Sequence, residues 1–387
     1  MNGPAEVAAE LFASHVGRPP EGVWSAAGRV NLIGEHTDYN LGWVLPFAIP
    51  ARTYVAAARR DDQVVTVRSV QHPGEVVRAS LAELQPGRQR GWSAYVLGVP
   101  WALARRGARP GGIDVLVDGH VPVGAGLSSS AALECAAVSA VADLAGSGGD
   151  PLSRALTAWS VEHDFVGVPC GVMDQVASMV CTAGHALLVD TRDLATAAVP
   201  LDAAGAGLAL LVVDTGVTHD NADGQYAARR TACEDAARAL GVSSLRELDD
   251  VDDAVRRLGD GEARRRVRHV LSENARVLAA VDALRQGDWG GLGRLMDESH
   301  ASLRDDYEVS SPELDVAVDS VRRAGALGAR MTGGGFGGSA IAVIPEEALP
   351  AARVAVGAAF EAAGFAAPVL RRVEASTGAH HEAVEAR

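Results

Sequence analysis

The sequence contains no lysine, so all 35 of its basic side chains are arginines, against 49 aspartates and glutamates. This absence excludes a lysine nucleophile and the common phosphate loop that ends in Gly-Lys-Ser or Gly-Lys-Thr. The net charge of −14 argues against nucleic acid as the main partner, because binding a phosphate backbone requires clustered positive charge. Any positive side chain in an active site must therefore be an arginine.

Cysteine and long apolar runs are also scarce. The four cysteines form no C-x-x-C pair, which argues against a disulfide framework and against a zinc site. No apolar run approaches the roughly 18 residues that a membrane span needs, and the first ten residues lack the basic and apolar regions of a signal peptide. We therefore expect a cytoplasmic protein without a membrane partner.

The chain has 387 residues, of which 48% are hydrophobic, and this is too long for one ordinary core. A stretch rich in proline, alanine and glycine at residues 199–206 precedes an apolar run at 208–213 that is typical of a buried strand. We place a domain boundary near this stretch. The sequence thus predicts an N-terminal domain at 1–203 and a C-terminal domain at 204–387.

The stretch GAGLSSSAA at residues 124–132 combines two glycines and three serines with a predicted helix start. An alternating run at 113–117 predicts a strand before it, and the spacing of apolar residues beyond Leu127 predicts a helix after it. Such a junction aims unpaired backbone N–H groups and the positive end of the helix dipole at one point, which suits a phosphate. The alternative is an ordinary turn in which a serine caps the helix.

A second polar stretch, GRVNLIGEHTDYN at residues 28–40, lies between apolar segments. Polar groups at this density near a core need partners. One interpretation is a metal site of Glu35, His36 and Asp38, which the residue types favour least. A second is a sugar site, in which the carboxylates accept hydrogen bonds from hydroxyls. A third is a polar turn in which Arg29 pairs with Asp38 or Glu35, and the residue types do not rank it against the sugar site.

A third polar stretch, PCGVMDQ at residues 169–175, follows a predicted helix that carries Glu162. Its one carboxylate, Asp174, lies after a turn shaped by proline and glycine and has apolar neighbours. A carboxylate in this position is either a helix N-cap or a general base. Taken alone, the stretch does not choose between the two roles.

Three other patterns concern mainly the fold. Alternating runs at 53–57 and 64–67 predict strands of an antiparallel meander. The arginine run at 264–266 is typical of a solvated helix face. The glycines of MTGGGFGG at 331–338 indicate either backbone conformations with φ > 0 or another group in close contact. The alternative is a flexible linker, which the apolar, strand-like flanks disfavour because they tether the loop on both sides.

Five stretches together resemble the GHMP small-molecule kinases and, within them, the galactokinase family. PVGAGLSSSA at 122–131 and MTGGGFGG at 331–338 are similar to the superfamily's phosphate loop and C-terminal glycine motif. GRVNLIGEHTDY at 28–39, PCGVMDQ and HASLRDDY at 300–307 resemble galactokinases. The stretches follow the family's order and span nearly the whole chain. One departure is Ser339, where many relatives have cysteine.

This resemblance implies an α+β fold of two domains with the active site in the cleft between them. The N-terminal domain would be like domain 2 of ribosomal protein S5, and the C-terminal domain would be ferredoxin-like. The implied reaction is transfer of the γ-phosphoryl group of ATP to the anomeric hydroxyl of galactose, with Mg²⁺ as the metal ion. By matching position, Asp174 would accept the proton of that hydroxyl, and Arg29 would lie between Asp174 and the phosphates.

The other site residues are also implied by position in the family's motifs. Sugar contacts fall on Glu35, His36, Asp38, Gly171, Asp174 and Tyr226. Phosphate contacts fall on Gly124, Ala125, Gly126, Leu127, Ser128, Ser129 and Ser130. Trp92 matches the residue that stacks on adenine. Ser130 and Glu162 match the Mg²⁺ ligands, an oxygen-only pair that suits this ion.

Two alternatives to a galactose kinase stay open. A kinase for N-acetylgalactosamine or another hexose is possible, since carboxylates alone cannot separate epimers. A non-catalytic sensor of galactose and ATP is disfavoured, because such relatives are altered in the serine loop, which is complete here. We expect a monomeric enzyme whose partners are its small-molecule substrates.

Overall fold

The computed structural model describes residues 3–217 and 222–384. The elements of the first half are α1 (Pro4–Val16), β1 (Gly22–Asn31), β2 (Trp43–Val44), β3 (Pro46–Arg59), β4 (Val64–Ser69), β5 (Val77–Ser80), α2 (Ala94–Arg105), β6 (Ile113–Gly119), α3 (Ser129–Leu144), α4 (Pro151–Ser160), α5 (Met173–Val180), β7 (His185–Asp190) and β8 (Ala195–Pro200). Those of the second half are β9 (Leu208–Asp214), α6 (Ala222–Leu240), α7 (Val251–Leu258), α8 (Glu262–Gln286), α9 (Trp289–Ser302), α10 (Pro312–Arg323), β10 (Gly328–Thr332), β11 (Ser339–Pro345), α11 (Leu349–Ala363), β12 (Val369–Val373) and β13 (His380–His381).

The largest sheet has the strand order β13-β1-β3-β6-β4-β5. Both runs predicted as strands, 53–57 and 64–67, lie in it, but the predicted meander is wrong because β6 separates β3 from β4. Strand β4 pairs in parallel with β6, with Thr66 opposite Asp114. A parallel pair needs a crossover, and α2 supplies it between β5 and β6.

Helix α3 packs across β1 and β3 on one face of this sheet. Its face toward the strands is built from small side chains, such as Ala136, Ala137 and Ala140, which lie in the same core as Val55 of β3. Helix α1 covers part of the opposite face through Phe12. The small residues let α3 approach the strands closely, and this packing fixes where its N-terminus points.

The second half forms a four-stranded antiparallel sheet in the order β10-β11-β9-β12. Of the arginine run 264–266 on α8, only the first two members are partly exposed, so the prediction of a solvated face is wrong for Arg266. This side chain is 1% exposed and pairs with Glu262 and Glu308 at 2.7 and 2.6 Å. Successive residues of a helix point about 100° apart, so a three-residue run cannot share one face.

The two halves share a core as well as a cleft. Val30 and Phe47 of the first half lie in one apolar cluster with Val212 and Val343 of the second. A small third sheet of β2, β7 and β8 lies beside them. The last strand, β13, pairs with β1, so a division of the chain at residue 203 leaves its terminal strand on the N-terminal sheet.

All four cysteines are free thiols, and they are Cys135, Cys170, Cys181 and Cys233. Within residues 3–217 and 222–384, no helix has both the length and the apolar character that a membrane crossing requires.

Candidate active site

The predicted helix start at the serine-rich loop is confirmed, since α3 begins at Ser129. The backbone turns into this helix through left-handed conformations at Gly124, Gly126 and Ser128, with φ of 77°, 72° and 58°. Ser128 precedes the helix but makes no capping hydrogen bond. Its hydroxyl instead donates to the Oδ2 atom of Asp174 at 2.5 Å. The alternative of an ordinary serine cap is therefore wrong.

Arg29 and Asp174 form a two-pronged ion pair at the centre of the site. The Nε and Nη2 atoms of Arg29 donate to Oδ1 and Oδ2 of Asp174, both at 2.8 Å, and Nη1 donates to the carbonyl of Gly126 at 2.6 Å. The predicted alternative, in which Arg29 pairs with Asp38 or Glu35, is wrong. The arginine thus joins the carboxylate directly to the backbone of the phosphate loop.

The position of Asp174 on its helix leaves its carboxylate free for this pairing. Helix α5 begins at Met173, and its N-cap is Val172, so Asp174 lies inside the first turn and is not the cap. The side chain is 30% exposed. Its oxygens therefore contact Arg29 and Ser128 and also reach the cleft.

Asp38 lines the same cavity as Asp174, and its carboxylate lies against Gly171, three residues before Asp174 in the chain. Burial, followed by the nearby charge of Asp174, raises the pKa of Asp38 to about 6. Gly171 packs directly on this carboxylate, because a Cβ atom there would lie 1.6 Å from an Asp38 oxygen. Only glycine fits at position 171 while Asp38 keeps its place.

Glu35 is almost fully buried, at 2% exposure, and each of its carboxylate oxygens accepts two hydrogen bonds. Oε1 accepts from the backbone N–H of Gly333 at 2.9 Å and from the hydroxyl of Thr332 at 3.2 Å. Oε2 accepts from Asn31 at 2.9 Å and pairs with Arg330 at 2.5 Å. Burial raises the pKa of Glu35, and Arg330 opposes this shift. A metal site of Glu35, His36 and Asp38 therefore does not fit.

His36 is held by hydrogen bonds on both ring nitrogens. Nε2 lies 3.2 Å from the carbonyl of Gly334, which can only accept, so Nε2 carries a proton. Burial lowers the pKa of His36 to about 3, and Nδ1 therefore accepts from the hydroxyl of Tyr39 at 2.8 Å. Tyr39 in turn contacts the hydroxyl of Tyr307 at 2.8 Å. The ring is neutral and fixed in orientation.

These side chains line one cavity of about 200 Å³. The sequence-predicted residues that the fold brings together there are Arg29, Glu35, His36, Asp38, Glu162, Gly171, Asp174 and Tyr226. Residues of the glycine-rich loop, Gly333 to Phe336, close its other side. Residues as far apart in the chain as Arg29 and Phe336 thus line one polar cleft.

Glu162 lies on a π-helical turn, Val161–Val166, that follows α4, and it lines the same cavity as Asp174. It is 7% exposed and accepts a hydrogen bond from Gln175 at 2.6 Å. Burial and then the charge of Asp174 raise the pKa of Glu162 to about 7, while a hydrogen bond from Ser130 opposes the shift. A hydroxyl and a carboxylate in contact next to a phosphate loop suit Mg²⁺, which keeps several waters and few protein ligands.

No group of three or more His, Cys, Asp or Glu side chains is placed to hold a metal in the described part of the chain. The proposed Ser130–Glu162 pair contains only one such side chain, Glu162, so it is not a group of this kind. A metal ion held there would complete its coordination with water and phosphate oxygens.

Trp92 lines a second cavity of about 260 Å³, which also includes Ser129 and Ser130. Its ring stacks on His72 with centroids 5.2 Å apart, and its Nε1 donates to Glu75 at 3.1 Å. The second cavity thus includes the first residues of α3, whereas the first cavity includes Glu162, which accepts a hydrogen bond from Ser130. A planar aromatic group beside a phosphate loop is suited to a nucleotide base.

Sequence reasoning assigned no role to three residues that support the site. Gln175 donates to Glu162 and also to Glu134, a carboxyl group that is fully buried. Arg330 crosses from the second half of the chain to Glu35. The sequence could have pointed to Gln175, which ends the PCGVMDQ motif, and to Arg330, which directly precedes MTGGGFGG. For Glu134 the only sequence indication is that it is a single carboxylate in a predicted apolar helix.

Three family models match successive parts of the chain. They are described as the galactokinase galactose-binding signature at residues 10–59, the GHMP kinases N terminal domain at 94–182 and the GHMP kinases C terminal at 280–362. The fold is also similar to that of a solved mevalonate kinase from Methanococcus jannaschii, with a TM-score of 0.67 at 16% identity over 92% of this chain and 98% of the other. The protein is thus a GHMP kinase with an α+β fold, as predicted.

Comparison with individual proteins shows which family of GHMP kinases the chain belongs to. A galactokinase of Streptomyces coelicolor is 48% identical over 96% of both chains, and one of Mycobacterium tuberculosis H37Rv is 42% identical over 92% of this chain and 98% of the other. A solved galactokinase of Lactococcus lactis, complexed with galactose, has a TM-score of 0.92 and 33% identity over 96% and 98% of the two chains. The chain belongs to the galactokinase family and is an ATP-using kinase.

Proposed function

We propose that this kinase transfers the γ-phosphoryl group of ATP to the anomeric hydroxyl of galactose, giving galactose 1-phosphate and ADP. The observation that carries the proposal is the Arg29–Asp174 pair, which lies between a polar cavity and the phosphate loop. Membership of the galactokinase family supports the choice of sugar. The solved relative from Lactococcus lactis binds galactose in the same fold.

Asp174 is the proton acceptor in this proposal. Its carboxylate reaches the cleft, and a sugar hydroxyl placed against it would give up its proton as the oxygen attacks the γ-phosphorus. The bond from that phosphorus to the bridging oxygen breaks, and ADP leaves. Arg29 uses three of its five N–H donors on Asp174 and Gly126, which orients the base and places a positive charge where negative charge develops.

The cavity side of this pair is the sugar subsite. Asp38, Gly171 and Tyr226 line the cavity and are candidate hydroxyl contacts, together with Glu35 and His36. Carboxylates accept hydrogen bonds from neighbouring sugar hydroxyls, and the glycine at position 171 leaves room for the carboxylate of Asp38. The hydrogen bonds already made by Glu35 and His36 orient this wall before any sugar binds.

The loop side of the pair is the nucleotide subsite. Backbone N–H groups of residues 124–130 would hold the phosphates at the N-terminus of α3. Ser130 and Glu162 would hold Mg²⁺, which neutralises phosphate charge during transfer. Trp92 would stack on adenine in the second cavity.

A panel of hexoses in a coupled assay of ADP release tests the proposal. Galactose should support turnover, and Asp174→Asn should lower the rate by at least about 100-fold in the same assay. A higher kcat/KM for N-acetylgalactosamine or another hexose would make that sugar the substrate instead of galactose. Binding of galactose and ATP without turnover would indicate a non-catalytic sensor. The monomeric state and the cytoplasmic location stay predictions.

A further inference from the structure

Arg330 is fully buried, and its guanidinium crosses from the second half of the chain to the first. It lies on β10, and its side chain has 0% exposure. Nη1 pairs with Glu35 at 2.5 Å and also donates to the carbonyl of Leu32 at 3.2 Å. Nε donates to the hydroxyl of Ser299 at 3.1 Å. The arginine therefore joins β10 and α9 to the polar stretch that follows β1.

The charge of Arg330 balances a carboxylate that water does not reach. Glu35 is 2% exposed, and burying a carboxylate without a charged partner is strongly unfavourable. A second buried carboxylate, Glu273, lies 3.8 Å from Nη2 of Arg330, but it has Arg276 as a closer partner at 2.7 Å. Among the described residues, Arg330 is the basic side chain that pairs with Glu35.

Glu35 passes this constraint to the glycine-rich loop. Its Oε1 atom holds the N–H of Gly333, while the next residue in the sequence, His36, donates to the carbonyl of Gly334. Two consecutive side chains of the sugar-facing stretch thus bind two consecutive residues of the loop. The loop cannot shift without breaking both bonds.

The same loop rests on the phosphate loop. A Cβ atom on Gly333 would lie 3.0 Å from the carbonyl of Gly126, and the hydroxyl of Ser339 donates to the carbonyl of Ala125 at 2.7 Å. Gly126 is also the residue whose carbonyl Arg29 holds. A continuous set of contacts therefore runs from Arg330 through Glu35 and the glycine-rich loop to the backbone of the phosphate loop.

We propose that Arg330 is a positioning residue that couples the sugar subsite to the phosphate subsite through Glu35 and the glycine-rich loop. It touches neither substrate. Its removal leaves Glu35 unpaired and loosens the loop at Gly333, which changes the geometry on both sides of the Arg29–Asp174 pair. This inference rests on the proposed function.

The test compares Arg330→Met, Arg330→Lys and Arg52→Met with the unsubstituted protein. Arg52 is the matched control, because it is a buried arginine whose hydrogen bonds within the described part of the chain go to Ser25, Thr377, Gly378 and His380, none of which lines the first cavity. We expect Arg330→Met to lower kcat/KM by about 100-fold for galactose and for ATP, since small misplacements of reacting groups have effects of this size. The kcat/KM values of Arg330→Lys should be about tenfold higher than those of Arg330→Met, because lysine restores the positive charge but not the planar set of N–H donors of arginine.

Arg52→Met should lower the melting temperature while leaving both kcat/KM values within about twofold. If Arg330→Met behaves in the same way as this control, the arginine is merely structural and the proposal fails. A loss confined to galactose would also overturn the coupling. If Arg330→Met does not fold, Arg330→Lys provides the test. In that case, kcat/KM values for galactose and for ATP that both lie within about twofold of the unsubstituted protein would contradict the proposal.

Binding measurements separate this inference from the proposed function. Calorimetry with galactose alone and with a non-hydrolysable ATP analogue reports each subsite without turnover. If the unsubstituted protein phosphorylates no hexose, the proposed function fails. The positioning role then still stands if Arg330→Met weakens binding of both ligands and Arg52→Met weakens neither, and it falls if the two variants bind alike.

Discussion

Replacement of Arg29 tests the assignment of the central ion pair. Arg29→Ala removes two charged hydrogen bonds at 2.8 Å from Asp174 and one at 2.6 Å from Gly126. At about 1.5–3 kcal/mol for each bond to Asp174, the gross loss is about 3–6 kcal/mol. The Asp174 side chain is 30% exposed, so solvation recovers part of this loss. Removal of a donor placed where negative charge develops costs about 3–4 kcal/mol of transition-state stabilisation, which corresponds to a fall in kcat of about 100- to 1000-fold.

The assay is steady-state ADP release with each substrate varied in turn, at saturating concentrations of the other. Arg29→Lys is the companion variant, because it keeps a positive charge but cannot bind both carboxylate oxygens and the Gly126 carbonyl together. We expect it to fall between the alanine variant and the unsubstituted protein. A change confined to KM, with kcat within about threefold, would refute a role for Arg29 in the transition state.

Three further predictions follow from the same site. Asp174→Asn should lower kcat by about 100- to 10,000-fold while calorimetry still detects galactose and ATP binding, and near-normal turnover would exclude Asp174 as the base. The raised pKa of Glu162, about 7, means that protons compete with Mg²⁺ below that pH, since only the carboxylate binds the metal. The Mg²⁺ concentration for half-maximal rate should therefore rise by up to about tenfold for each pH unit below 7 and level off above it, in titrations at pH 6, 7 and 8, and a flat response would contradict the assignment. Trp92→Ala should raise the KM for ATP by about 10- to 100-fold, the range expected for lost base stacking, and leave that for galactose unchanged, whereas the reverse pattern would place the base elsewhere.

The parts of the fold that the sequence predicted well depend on local patterns. The strand at Ile113–Gly119, the helix start at Ser129 and the tethered loop before Ser339 each follow from a few neighbouring residues. Glycine, serine and apolar spacing act over one or two turns of backbone, so their effects can be recognised without knowing the fold. Motif resemblance then assigned these elements to a family.

The errors have non-local causes. Residue types near position 29 suggested Asp38 or Glu35 as the partner of Arg29, and only the family resemblance placed it beside Asp174, which is 145 residues away. The prediction of an antiparallel meander was wrong because β4 pairs in parallel with β6, a strand that follows a helical crossover. The burial of Arg266 depends on Glu308, which a separate turn brings to it. Ion pairs and strand neighbours of this kind are set by packing between distant segments.

Identification of the phosphorylated product tests the central claim most directly. Galactose and ATP are incubated with the protein and Mg²⁺, and the sugar phosphate is examined by ³¹P NMR with coupling to the sugar protons. The expected product carries its phosphorus coupled to the anomeric proton, in an amount equal to the ADP released, and forms at least about 100-fold more slowly with Asp174→Asn. Phosphate on the C6 hydroxyl, or ADP released without a sugar phosphate, would contradict the placement of the anomeric hydroxyl against Asp174.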